Sequence, residues 1–372
     1  MLANRNEQKP IAVPTPAAGS SSTSRTTYHT QKNIENTLKL REILKSLPPF
    51  LRDYFRAAEA TTSTQTRLSY AYDLKVFFHF LMDENPAFKN YSMTDFKVTV
   101  LDELQAVDIE EYLEYLKVYS NGEKMLTNRA ESIKRKLASL RSVYTYYYKR
   151  EIIHNNPTVL IDMPKVHEQA IIRLDTDEVV LLLDFIEHGG DSLTGQKKAY
   201  YEKTKERDLA LVSLLLGTGI RVSECVGLDV EDVDFKNNGI KVTRKGGNEM
   251  MVYFGNEVEK ALRKYLEVRQ GITPIAGHEH ALFYSTQRKR ITIRAVENLV
   301  KKYAREITTT KKITPHKLRS TYGTALYQET GDIYLVADVL GHKDVNTTKK
   351  HYAALDDHRR RMAATAVHLR ED

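Results

Sequence analysis

Apolar positions recur at three- and four-residue spacing through much of the chain, the pattern of helices that bury one face. Residues 33–56 carry Leu38, Leu44, Leu51 and Phe55 on such a pattern, broken at Pro48-Pro49. A second helix is predicted from Ser63 or Thr64, either of which can cap it, with Leu68, Tyr72, Val76, Phe77 and Phe80 apolar. Asp108 is placed to cap a third, which bears Ile109, Tyr112, Leu113 and Leu116. A fourth, about 127–149, sets Ile133, Leu137, Leu140, Tyr144 and Tyr147 on one face. Asn155-Asn156-Pro157 and Met163-Pro164 then punctuate the chain, and a domain boundary is expected near 165–172.

Beyond that hinge the pattern changes. Asp175 begins a helix with Val179, Leu182, Leu183 and Ile186, and Leu209–Leu216 reads as a buried helix that stops at Gly217-Thr218-Gly219. Residues 240–244 and 250–254 resemble two strands around the turn Lys245-Gly246-Gly247-Asn248. Helices are predicted at about 257–269, 293–306, 316–329 and 332–340, with Gly331 and Gly341 where helix C-termini favour a positive φ. The expected fold is mainly α in two domains. An all-helical unit spans 33–165, and a mixed α/β unit, helices with a small antiparallel sheet, spans 166–355. Residues 1–32, rich in Ser, Thr, Ala and Pro, are expected to form a disordered arm, and 356–372 a tail.

Composition narrows the function classes. With 372 residues and a hydrophobic fraction of 41%, the chain can bury two or three cores, yet no apolar run approaches the roughly 18 residues of a membrane span. Its one cysteine, Cys225, excludes an internal disulfide and fits a reducing cytosol. The arm lacks the apolar centre of a secretion signal, while its shortage of acidic residues leaves an organelle transit peptide open. Net charge is +7, and the segment 124–150 alone carries an equal excess. Its basic residues are Lys124, Arg129, Lys134, Arg135, Lys136, Arg141, Lys149 and Arg150, against Glu131. Charge alone does not decide between a solvated helix face and a surface for a polyanion.

The motifs do. Gly217-Thr218-Gly219-Ile220-Arg221-Val222-Ser223-Glu224 resembles the first arginine motif of tyrosine recombinases, and Thr314-Pro315-His316-Lys317-Leu318-Arg319 resembles their His-x-x-Arg box. Leu340-Gly341-His342, followed ten residues later by Tyr352, is similar to the closing nucleophile motif. Lys245 lies in the turn where that family keeps a catalytic lysine. Taken singly these residues carry little, since Tyr352 is one of 22 tyrosines. Six of them in this order carry the resemblance. Lys205-Glu206-Arg207-Asp208-Leu209-Ala210 and Val242-Thr243-Arg244-Lys245-Gly246-Gly247 are most similar to Xer recombinases, including the kind that works alone rather than as a pair.

The resemblance implies a DNA strand-transferase that needs no cofactor and no metal. Tyr352 would attack the scissile phosphate and leave a 3′-phosphotyrosine. Arg221 and Arg319 would each present two donors to phosphate oxygens, a geometry that lysine cannot match. His342 would add a hydrogen bond, His316 would accept the phenol proton, Lys245 would protonate the departing 5′-oxygen, and Glu224 would orient Arg221. The resemblance further implies that both domains clamp duplex DNA, with Arg67, Lys134, Arg135 and Arg141 as contacts. It implies a homotetramer working through a Holliday junction, with the tail docked on a neighbouring protomer. An accessory DNA-bending or translocase protein, a bacterial cytoplasmic, nucleoid-associated setting and no membrane partner belong to the same picture.

Two departures stand out. Ser320 follows Arg319 where many relatives have a second histidine, and the His342-to-Tyr352 gap is the one common in mobile-element integrases. Chromosome-dimer resolution and element integration or excision therefore both stay open. Other classes fit less well. A type IB topoisomerase shares the chemistry but not the tail or the Xer-like segments, and a non-catalytic DNA-binding regulator has no use for all six residues. There is no Walker A sequence, Gly217-x-Gly219 lacks the third glycine of a dinucleotide site, and His278-Glu279-His280 has no cysteine beside it to complete a metal site.

Overall fold

The computed structural model of the chain describes residues 27–121, 124–165, 171–244, 247–342 and 344–345. Helix α1 (Tyr28–Lys45) is opened by Thr27, whose hydroxyl accepts the Thr30 N–H. Residues 28–32, expected in the arm, are therefore helical; the tail and residues 1–26 lie outside the described residues. Pro48-Pro49 separates α1 from α2 (Leu51–Ala57). Helix α3 (Thr64–Glu84) begins at Ser63, whose Oγ accepts the Thr66 N–H at 3.2 Å. Helices α4 (Val100–Glu103) and α5 (Ala106–Tyr115) follow. Asp108 is not the cap of α5 but its third residue, and its carboxylate reaches back to the Gln105 N–H at 2.7 Å.

The first unit has one element beyond the all-helical expectation. Strands β1 (Val118–Asn121) and β2 (Lys124–Thr127) form an antiparallel hairpin before α6 (Ala130–Tyr148). Its base is closed by Asn128, whose amide donates to the Leu116 carbonyl at 2.8 Å, and Tyr119 packs on Tyr115 with ring centroids 5.2 Å apart. The core of this unit is aromatic, with Phe77, Phe78, Phe96, Tyr112 and Tyr144 fully buried. Helix α6 buries the predicted face of Ile133, Leu137, Leu140, Tyr144 and Tyr147. Leu38 and Tyr72, expected on buried faces, are exposed: Leu38 lies on the side of α1 opposite its buried residues Asn36, Leu40 and Ile43, and Tyr72 lies at the edge of the buried stripe of α3.

Helix α7 (Thr176–His188) starts the second unit, capped by Asp175. Helix α8 (Gly195–Thr218) runs through its centre, touching α7, α10 (Asn256–Gln270) and α12 (Pro315–Thr330). Between α8 and α10 come α9 (Val222–Gly227) and a sheet of β3 (Val233–Asp234), β4 (Gly239–Thr243) and β5 (Glu249–Tyr253), antiparallel in that order. Helices α11 (Ile293–Ile307) and α13 (Ile333–Leu340) complete it. Residues 210–212, 214 and 215 of α8 are almost wholly buried, as continuous apolar sequence requires. One buried polar network fastens α8 to α11: Asp208 accepts from the Arg207 guanidinium at 2.6 Å and from the Tyr303 hydroxyl at 2.9 Å. The first core ends at Ile161 with Met163 packed against it, and Ile172 and Leu174 belong to the second. Helix α1 reaches both, since Tyr28 packs on the second core and Leu40 and Ile43 lie in the first.

Asp73 of α3 is buried under α6, where it pairs with Arg135 and, at 3.9 Å, with Lys136. Burial pushes its carboxyl up to about 6, against the pull of those two cations. The folded protein thus binds the proton more tightly than the unfolded chain, so this group's contribution is lost as pH rises through the folded value. The urea midpoint of the wild type relative to Asp73→Asn should therefore fall from about pH 4 to about pH 6 and level off above. A difference constant across that window would show that Arg135 and Lys136 compensate the carboxylate fully.

Candidate active site

Arg221 stands at the start of α9, just after the left-handed turn that ends α8 at Gly219 (φ 61°). A side chain at Gly219 would run into Tyr322 and Leu340, so the close approach of α8, α12 and α13 requires glycine there. Glu224, one turn into α9 and 5% exposed, accepts the Arg221 backbone N–H at 2.7 Å and its Nη1–H at 2.9 Å. The Glu224 carboxylate thus caps the helix and aims the guanidinium together. Arg221 Nη2 donates to the Gly341 carbonyl at 3.2 Å, and its side chain stays 38% exposed.

Arg319 arrives from α12 and is buried. It donates to the Gly219 carbonyl at 2.5 Å and to the Leu340 carbonyl. His316 lies one turn earlier, exposed at the start of α12, where Pro315 fills the first helical position. Ser320, in place of a second histidine, turns its hydroxyl to the His316 carbonyl at 3.2 Å. Helix α13 ends at Gly341 (φ 62°), and the His342 N–H closes the cap on the Ala337 carbonyl at 2.9 Å. Arg221, Arg319 and His342 therefore meet at one helix end. Lys245 and Tyr352 lie outside the described residues.

A further arginine joins them. Arg244, the residue before Lys245, donates to the carbonyls of Asp338 at 3.3 Å and Val339 at 2.7 Å. Its motif was visible in the sequence, but nothing there indicates that the side chain would fold back onto α13. Cys225 is fully buried and burial pushes its thiol up to about 12, which makes it a packing residue. His280 pairs with Glu231 at 2.6 Å, and no group of three or more metal-ligating side chains comes together among the described residues.

The basic segment divides. Lys134 and Arg135 are exposed on α6, Arg135 also pairing with Asp73. Lys136 is buried, with Nζ on Asn128 at 3.2 Å and on Ser132 at 3.3 Å. Arg141 points inward as well, donating to the carbonyls of Thr158 at 3.1 Å and Ile161. Arg67 is 6% exposed and paired with Glu59 at 3.1 Å. Arg67 and Arg141 thus hold the helical unit together, whereas Lys134 and Arg135 face outward.

The model of the phage integrase family matches residues 173–359, just over half of the chain and all of the site. The chain belongs to the phage integrase family. Its likeness to other members runs further than that span. Tyrosine recombinase XerC of Caldanaerobacter subterraneus subsp. tengcongensis is 32% identical over 346 residues, covering 90% of this chain and 91% of that protein. Tyrosine recombinase XerS of Streptococcus uberis is 30% identical over 342 residues, covering 86% and 95%. The family fold extends to the crystal structure of XerH recombinase bound to palindromic difH substrate after cleavage, with a TM-score of 0.63 at 19% identity over 92% of this chain and 90% of that one. It extends also to a lambda integrase dimer bound to a COC′ core site, with a TM-score of 0.56 at 16% identity over 81% and 92%.

Within this family site, Glu224 fixes where the exposed guanidinium of Arg221 points. Glu224→Gln keeps the shape but loses the charge, and should slow single-turnover DNA cleavage by up to about 10²-fold with little change in affinity for duplex. Unchanged cleavage would show that the helix cap alone positions Arg221.

Proposed function

We propose that this chain is a site-specific recombinase that cuts and rejoins duplex DNA through Tyr352. The observation that carries the proposal is the meeting of Arg221, from the turn before α9, and Arg319, from α12, at the end of α13 beside His342. A guanidinium carries five N–H donors. Arg221, anchored by two of them, keeps its fork available to non-bridging phosphate oxygens. In the proposed step the Tyr352 Oη–phosphorus bond forms as the bond from phosphorus to the 5′-oxygen breaks. A phenol ordinarily has a pKa near 10, so it must lose its proton to attack; His316 accepts it. Lys245 returns a proton to the departing 5′-oxygen. Phosphotyrosine conserves the energy of the broken ester, so a partner strand's 5′-hydroxyl can reverse the step without a nucleotide.

Exchange of both strand pairs requires four active sites, so we assign a homotetramer acting through a Holliday junction, with the segment after Tyr352 linking protomers. The extended similarity to XerC and XerS favours resolution of chromosome dimers over integration of a mobile element. Lys134 and Arg135, outward on α6, are assigned to DNA phosphates, which position the duplex without reading its sequence.

A nicked suicide duplex carrying the cognate site tests the chemistry. Wild type should form a covalent adduct, with or without chelator, and Tyr352→Phe none. Absence of the wild-type adduct overturns the enzyme assignment, and an adduct with the variant overturns the nucleophile. For the interface, Lys134→Ala should weaken binding evenly across sequences and lower the slope of log affinity against log salt by about 1. An unchanged slope removes Lys134 from the contact surface.

A further inference from the structure

Arg244 has no role in the chemistry proposed above, yet its placement is specific. It follows β4, where an arginine can extend into water at no cost. Instead it is half-buried, with both Nη groups on the carbonyls of Asp338 and Val339 and a buried Nε that has no hydrogen-bond partner. Its guanidinium lies over Gly341, where any Cβ would collide with it. Gly341 is thus required both for its left-handed backbone and for this contact. The surroundings oppose a third guanidinium: burial comes first among the influences that lower its pKa, and the Arg221 charge adds to it, against Glu224. A costly position that holds two specific acceptors indicates a positional task.

That task follows from what Arg244 joins. On one side is the β4–β5 turn, closed by the Arg244 N–H on the Asn248 carbonyl at 2.8 Å and by the Gly247 N–H on the Arg244 carbonyl at 3.0 Å. Lys245 is the next residue in that turn. On the other side is the last turn of α13, which also receives Arg221 and Arg319 and leads into His342. We propose that Arg244 is a positioning residue for strand cleavage: it ties the Lys245 turn to the helix end that gathers the phosphate-binding arginines, so that acid and phosphate clamp share one frame. Without the tie the turn loses these hydrogen bonds to α13 and can pivot about the strand ladder. The inference rests on the assignment of Lys245 as the acid.

A leaving-group substitution separates this from a general structural role. When the bridging 5′-oxygen is replaced by sulfur, the thiolate departs without a proton, and a misplaced acid no longer matters. On the oxygen duplex at saturating concentration, Arg244→Ala should cleave about 10²-fold more slowly than wild type. On the 5′-bridging sulfur duplex it should recover to near the wild-type rate, in parallel with Lys245→Ala. Recovery also shows that the variant is folded. Arg244→Lys keeps the charge but not the two-acceptor fork, and should behave like Arg244→Ala. A wild-type rate for either Arg244 variant on the oxygen duplex overturns the tie. So does an Arg244→Ala defect that persists on sulfur while Lys245→Ala recovers. If Lys245→Ala itself fails to recover, the assignment of Lys245 as acid falls, and the inference with it.

Discussion

A helix leaves its last carbonyls without intrahelical partners and presents the negative end of its dipole there. In this protein the end of α13 is the acceptor around which the site is assembled. Its carbonyls from Asp338 to Gly341 receive Arg244, Arg319 and Arg221, which come from a strand end, a neighbouring helix and a loop. Three cations would otherwise repel one another. The carbonyl dipoles, with the buried Glu224 carboxylate, offset that repulsion and set the guanidinium planes. Preorganisation of this kind is what makes electrostatic stabilisation effective at the moment of reaction.

The acceptor can play this part only if the elements around it are stiff. Helix α8 provides that stiffness as a buried rod, tied to α11 through Asp208 and ended at a glycine that lets α12 and α13 pack close. Arg221, Arg244 and His342 lie at the ends of elements and His316 in the first turn of α12, where donors and acceptors project, while Arg319 reaches the site from within α12. The helical unit contributes differently. Its aromatic core orients α6, where the turn of the helix puts Lys136 inward beside outward Lys134 and Arg135, while Arg141, on the same side as Lys134, is drawn inward by the Thr158 and Ile161 carbonyls.

Much of this was legible in the sequence, for physical reasons. The α6 stripe is buried as its spacing requires, and Gly219, Gly331 and Gly341 all adopt the left-handed conformation that helix ends favour. The order of motifs alone singles out Arg221, Arg319 and His342, which converge in the fold. The β1–β2 hairpin was not legible, because its strands are four residues each and leave Val118 and Met125 exposed, so no alternation marks them. The direction of long basic side chains was equally hidden. Arg67, Lys136 and Arg141 have the composition of a DNA-facing surface, yet Glu59, Asp73 and the Thr158 carbonyl, partners that no local pattern marks, turn them inward. The motif around Arg244 does not reveal its task, since its acceptors belong to a helix that begins long after it in the chain.

The burial of Cys225 has a practical side. It is the chain's one cysteine, fully enclosed beside the arginine turn, with a thiol that burial holds in its protonated form at neutral pH. Thiol-directed dyes and spin labels react with thiolates they can reach. The folded protein is therefore a naturally cysteine-silent background: a single engineered surface cysteine can carry a reporter of DNA binding while the native residue stays in place.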